Sequence, residues 1–75
     1  MNENEDVLWF FGDDNGKVVA QTIMSIRDEE KAIDALSMQV PRGMYTLGYF
    51  MNNGAQKIFN NAKQIGGVIN VYRYI

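Results

Sequence analysis

Apolar positions in this chain fall into runs broken by short polar, glycine-containing stretches, and the spacing within each run predicts an element. "VLWFF" (7–11) is apolar throughout and "KVVAQTIMSI" (17–26) is rich in β-branched residues, while "GDDNG" between them ends in Asn15-Gly16. Two strand-like runs around Asn-Gly predict a β-hairpin, because both residues tolerate the positive φ that tight hairpin turns require. Ala32, Ile33, Leu36 and Val40 then recur along one helical stripe behind Asp28, a residue type suited to an N-cap. A helix over 28–39 follows, ending before Pro41 because the residue ahead of proline disfavours helical geometry.

"MYTLGYFM" (44–51) is aromatic and β-prone, and Gly48 inside it marks a bulge or a close approach by another backbone. In "NNGAQKIFNNAKQIGG", Ala55, Ile58, Phe59, Ala62 and Ile65 oppose Gln56, Lys57, Asn60, Lys63 and Gln64. That pattern predicts a second amphipathic helix, capped by Asn52 or Asn53 and ended by Gly66-Gly67. "VINVYRYI" (68–75) closes the chain as a strand. The expected fold is therefore α+β with two layers: a four-stranded mixed sheet in the order β-β-α-β-α-β and two helices packed on one face.

One layer of helices leaves the other sheet face to water or a partner. Alternation in the last strand sets Ile69, Val71 and Ile75 against Asn70, Tyr72 and Tyr74, so tyrosine is expected on the open side. The neighbouring strands are apolar on both sides: Val7, Trp9 and Phe11 against Leu8 and Phe10, and Tyr45, Leu47, Tyr49 and Met51 against Met44, Thr46, Gly48 and Phe50. A sheet wet on one face should alternate apolar with polar residues. The excess predicts an interaction face, with Tyr72, Tyr74, Tyr45, Tyr49 and Trp9 as its contacts.

Composition narrows the function. With 47% hydrophobic residues and a single proline the chain is globular, apart from the polar start "MNENED" (1–6), read as a tail before one domain over 7–75. It has no cysteine and no histidine, so disulfides, thiolate metal sites and imidazole catalysis are excluded. Ser25 and Ser37 thus have no imidazole to activate them. No metal or cofactor is expected. "DDNG" resembles the opening of a calcium loop, but the twelfth loop position, counted with Asp13 as the first, needs a bidentate carboxylate and is Met24. Gly66-Gly67 follows its helix, whereas a phosphate loop must precede one. No apolar run is long enough to span a membrane and the acidic start is unlike a signal peptide, so the cytoplasm is the expected compartment.

Charge is divided along the chain: all nine acids lie in residues 1–37, and residues 38–75 hold only the bases Arg42, Lys57, Lys63 and Arg73. Glu30 and Asp34, four apart on the exposed side of the first helix, join the expected partner contacts. The leading expectation is a non-enzymatic module that regulates, inhibits or adapts a larger protein and forms a homodimer through its aromatic sheet face. The alternative is single-stranded nucleic acid stacked on the tyrosines, with Arg73, Arg42, Lys57 and Lys63 supplying phosphate contacts. A net charge of −2 opposes that alternative.

Overall fold

The structure, a computed structural model, describes residues 5–59 and the backbone of residues 62–64 and 71–73. Strand β1 (Asp6–Gly12) lies between β2 (Val18–Ser25) and β3 (Met44–Phe50), antiparallel to both, and β4 (Gln56–Ile58) continues the sheet beyond β3. The result is a four-stranded antiparallel sheet in the order β2-β1-β3-β4 with, among the described residues, one helix, α1 (Glu29–Ser37). Two three-residue strands adjoin it. β6 (Val71–Arg73) runs parallel to the Met44–Thr46 half of β3, and β5 (Ala62–Gln64) pairs antiparallel with β6.

The expectation of a mixed four-stranded sheet under two helices is therefore corrected. Residues 56–58 and 62–64, assigned from the sequence to a second helix, are extended strands. Asn52, Asn53 and Gly54 form a hairpin turn: Gly54 has φ 88°, its N–H donates to Met51 O at 2.9 Å, and Met51 N–H donates to Ala55 O at 2.7 Å. Asn53 Oδ1 accepts the Ala55 N–H at 2.9 Å and completes the turn. Gly66-Gly67, Ile65 and the rest of "VINVYRYI" lie outside the described residues.

The first hairpin uses the same geometry. Gly16 N–H donates to Asp13 O at 3.0 Å, Asp13 N–H to Lys17 O at 2.9 Å, and Gly16 takes φ 80°. This is a type I turn closed by a left-handed glycine, so Asn15 needs no positive φ. Asp13 Oδ1 accepts the N–H groups of Asn15 and Lys17, both at 2.9 Å, which locks the loop.

β2 and β3 are both antiparallel to β1 and hence run in the same direction, so the link through α1 crosses one face of the sheet. Asp28 precedes the helix without a side-chain capping bond, and Glu29 and Glu30 in the first turn complement the positive end of the helix dipole. Ala32, Ile33 and Leu36 are buried against Val7, Trp9, Phe11, Ala20, Tyr45, Leu47 and Tyr49 in a single core. Met24, Ile26, Val40, Met51 and Phe59 close its margins.

Two polar groups of this core have backbone partners. Trp9 Nε1–H donates to Ser25 O at 3.1 Å and Tyr45 O–H donates to Pro41 O at 2.6 Å. Trp9 meets Tyr49 edge-on at 4.9 Å and lies parallel to Phe59 at 6.1 Å, while Tyr45 stacks on Phe11 at 5.2 Å. Offset and edge-on aromatic pairs of this kind add about 0.5–1.5 kcal/mol beyond area burial. Among the described residues, no helix is long and apolar enough to cross a membrane.

Candidate functional site: the second face of the sheet

Successive strand residues point to opposite faces, so the register sets Leu8 and Phe10 of β1, Gln21 and Ile23 of β2, Met44, Thr46, Gly48 and Phe50 of β3, and Gln56 and Ile58 of β4 on the side away from α1. A register shift between Phe11 and Gly12 carries the pairing from Ala20 to Val18 and turns Val18 to the same side. Val18, Val19, Met44 and Ile58 are exposed there, and Ile23 is 70% exposed.

Phe10 stands on this side and is nevertheless only 5% exposed. Its ring lies across Gly48, its direct cross-strand partner, and packs on Phe50 at 4.9 Å with an interplanar angle of 27°. A Cβ on Gly48 would sit 2.7 Å from Phe10 Cζ and 2.6 Å from Lys57 O, so only glycine admits the ring at this height. The two rings, with Val18, Thr46, Ile58 and Gln56, line a groove of about 250 Å³. The first hairpin loop closes one end of it with Gly12, Asp13, Asp14 and Gly16.

The residues expected to touch a partner are distributed differently from the sequence reading. Trp9, Tyr45 and Tyr49 face α1 and belong to the core. Burial pushes the Tyr49 phenol above its ordinary value of 10.0, and the Glu5 carboxylate raises it further. Glu30 and Asp34 are exposed on the helix, apart from the groove. Arg42 is exposed after the helix, and Lys57 places its ammonium 5.2 Å from the centre of the Phe59 ring on the helix side of the sheet. For Lys63, Tyr72 and Arg73 the backbone pairs Lys63 with Tyr72, Tyr72 with Tyr45 and Arg73 with Thr46. Tyr74 lies outside the described residues.

The sequence reading missed Phe10, Phe50, Val18, Ile58, Asp13 and Asp14 as one constellation. Its available signal was Gly48 between aromatic residues: the close approach that glycine permits is made by the Phe10 ring and the Lys57 carbonyl. Among the described residues, no three acids gather where they could hold a metal ion. Compared with known proteins, the chain matches no protein family, no curated protein and no solved structure.

Proposed function

We propose that this chain is a non-enzymatic protein-interaction module, a small regulator, inhibitor or adaptor that binds a larger protein through the second face of its sheet. One observation carries the reading: the face turned away from the helix bears Leu8, Ile23, Met44, Phe50 and Ile58, where a wet antiparallel face would alternate to polar residues. Contiguous exposed apolar surface on a small domain commonly marks an interaction site. The homodimer expected from the sequence rested on an open aromatic face of Tyr72, Tyr74, Tyr45 and Tyr49, with Trp9 beside them. Tyr45, Tyr49 and Trp9 belong to the core, and self-association is an outcome of the test below. Nucleic-acid binding loses Tyr45 and Tyr49 as stacking platforms, and the groove end carries Asp13 and Asp14, which repel phosphate.

The test places a photo-cross-linking residue at Val19, on the exposed edge strand, and in a second variant at Asp34 on the helix, in cells that express the chain. The module reading expects a discrete protein adduct from position 19, none from position 34, and loss of the first when Ile23→Glu is added. Equal adducts from both positions, or an adduct indifferent to Ile23→Glu, would overturn it. An adduct of twice 8.6 kDa assigns the face to a second copy of the chain and overturns the larger-partner reading.

A further inference from the structure

The groove differs from the rest of the second face in carrying both ring surfaces and charge. Phe10 and Phe50 form its apolar wall, Asp13 and Asp14 close one end, and among the described residues no basic side chain lines it. Its volume, about 250 Å³, falls below the roughly 300–1,000 Å³ of sites that enclose a drug-sized ligand. One long side chain suits that space better than a whole small molecule.

Resting on the interaction reading above, we propose that this groove seats an arginine side chain presented by the partner protein. The aliphatic stem packs on Ile58 and Val18, the guanidinium plane lies against the Phe50 ring, and its N–H groups reach the carboxylates of Asp13 and Asp14. Charge complementarity selects a cation. Ring faces attract cations through their quadrupole, and a planar guanidinium stacks flat on them while its edge directs a fork of N–H groups to a carboxylate, a geometry that a compact ammonium lacks. Asp13 is already held in place: its Oδ1 accepts two backbone N–H bonds at 2.9 Å, and an ionised carboxylate has lone pairs for further donors. At Asp13 the guanidinium therefore meets an oriented acceptor, which lowers the ordering cost of that contact.

The test follows backbone amide resonances of the full chain during titration with acetyl-Val-Arg-Val-amide, and with the same peptide carrying citrulline, which keeps the shape of arginine and removes its charge. The expected result is saturable shifts confined to Phe10, Asp13, Asp14, Phe50 and Ile58, with the citrulline peptide about tenfold weaker. Asp14→Asn should weaken the arginine peptide at least about threefold, and Phe50→Leu, which keeps the apolar contact but removes the ring, should weaken it similarly. Thermal melts of both variants confirm that they remain folded. Equal affinity for the two peptides, shifts on the helix side, or no saturable shift would overturn the proposal. If cross-linking at Val19 still depends on Ile23 while arginine and citrulline peptides bind alike, the interaction module stands and the arginine seat falls.

Discussion

Three glycines in this chain are required for two different physical reasons, and substitutions separate them. Gly16 and Gly54 sit at φ 80° and 88° with nothing within 4 Å of an added Cβ, so alanine there meets open space but a disfavoured backbone. Each Gly→Ala change should cost about 1–2 kcal/mol in urea denaturation, and Gly16→Asn should recover much of that because asparagine visits the left-handed region. At Gly48 the order reverses. A Cβ would gain the usual advantage over glycine inside a strand, about 0.5–1 kcal/mol, but would lie 2.6 Å from Lys57 O and 2.7 Å from Phe10 Cζ. Overpacking costs about 1–3 kcal/mol and wins, so Gly48→Ala destabilises and Gly48→Asn is worse. Gly12→Ala, whose nearest contacts lie at 3.7 Å and beyond, is the control expected to change little. Tyr49 makes a pH-dependent contribution at the same scale. Its folded value lies above the unfolded one near 10, so the folded state holds the proton more tightly. That contribution is complete below pH 10 and is lost as pH climbs through the folded value. Tyr49→Phe, which keeps the ring against Trp9, should flatten the fall in melting temperature above pH 10 relative to the unsubstituted chain.

Between elements, the sheet edge shows how a single side chain can stand in for a missing strand. Gln39, just past α1, donates from Nε2 to Gln21 O at 3.1 Å and accepts the Gln21 N–H on Oε1 at 3.2 Å, as a neighbouring backbone would. Alternation directs the peptide groups of Val19 and Ile23 outward along the same edge. Edge strands with such rows invite pairing by a second chain. Gln39→Ala should cost at most about 1 kcal/mol, because the bonds are exposed, but should raise self-association in sedimentation velocity across a concentration series. Unchanged sedimentation would show that the amide does not guard the edge. The same scale shows why the sequence misled over residues 52–65. Asn53-Gly54 is the same pair as Asn15-Gly16 and makes the same turn, yet Ala55, Ile58, Phe59, Ala62 and Ile65 also satisfy a helical period. Ile58 and Phe59 are neighbours that share a stripe on a helix and part to opposite faces on a strand. The choice fell to tertiary contacts invisible in a window of that length: Phe59 N–H donates to Leu47 O at 3.0 Å and its ring meets Trp9 on the core side, while Ile58 lines the groove. The first hairpin was legible from its β-prone runs around Asn15-Gly16, the helix at 29–37 from its apolar stripe, and the strand at 44–50 from its β-prone composition.

At the scale of the whole molecule, apolar residues on both faces of β1 and β3 announced a second surface, but the residues on it could not be assigned without the strand order. Tyrosine and tryptophan resemble interface anchors in a sequence, and the structure spends Trp9, Tyr45 and Tyr49 on the core because β1 and β3 are central strands whose helix-facing positions need large side chains to reach α1. The smaller and less conspicuous Val18, Ile23 and Ile58 remain outside. That division predicts opposite sensitivities for the two faces. Leu47 is 0% exposed beneath the helix layer, so Leu47→Ala should cost about 2–5 kcal/mol, a large share of the roughly 4–11 kcal/mol expected for a domain of this size. For a domain this small each kcal/mol is about 4–8 °C, so its melting temperature should fall by about 8 °C or more. Ile23→Ser, at a side chain 70% exposed, should leave the melt within about 0.5 kcal/mol while abolishing the Val19 cross-link. A comparable stability loss from Ile23→Ser would mean that the second face is part of what holds the chain together, and the partner surface would then have to be sought on the acidic side of α1.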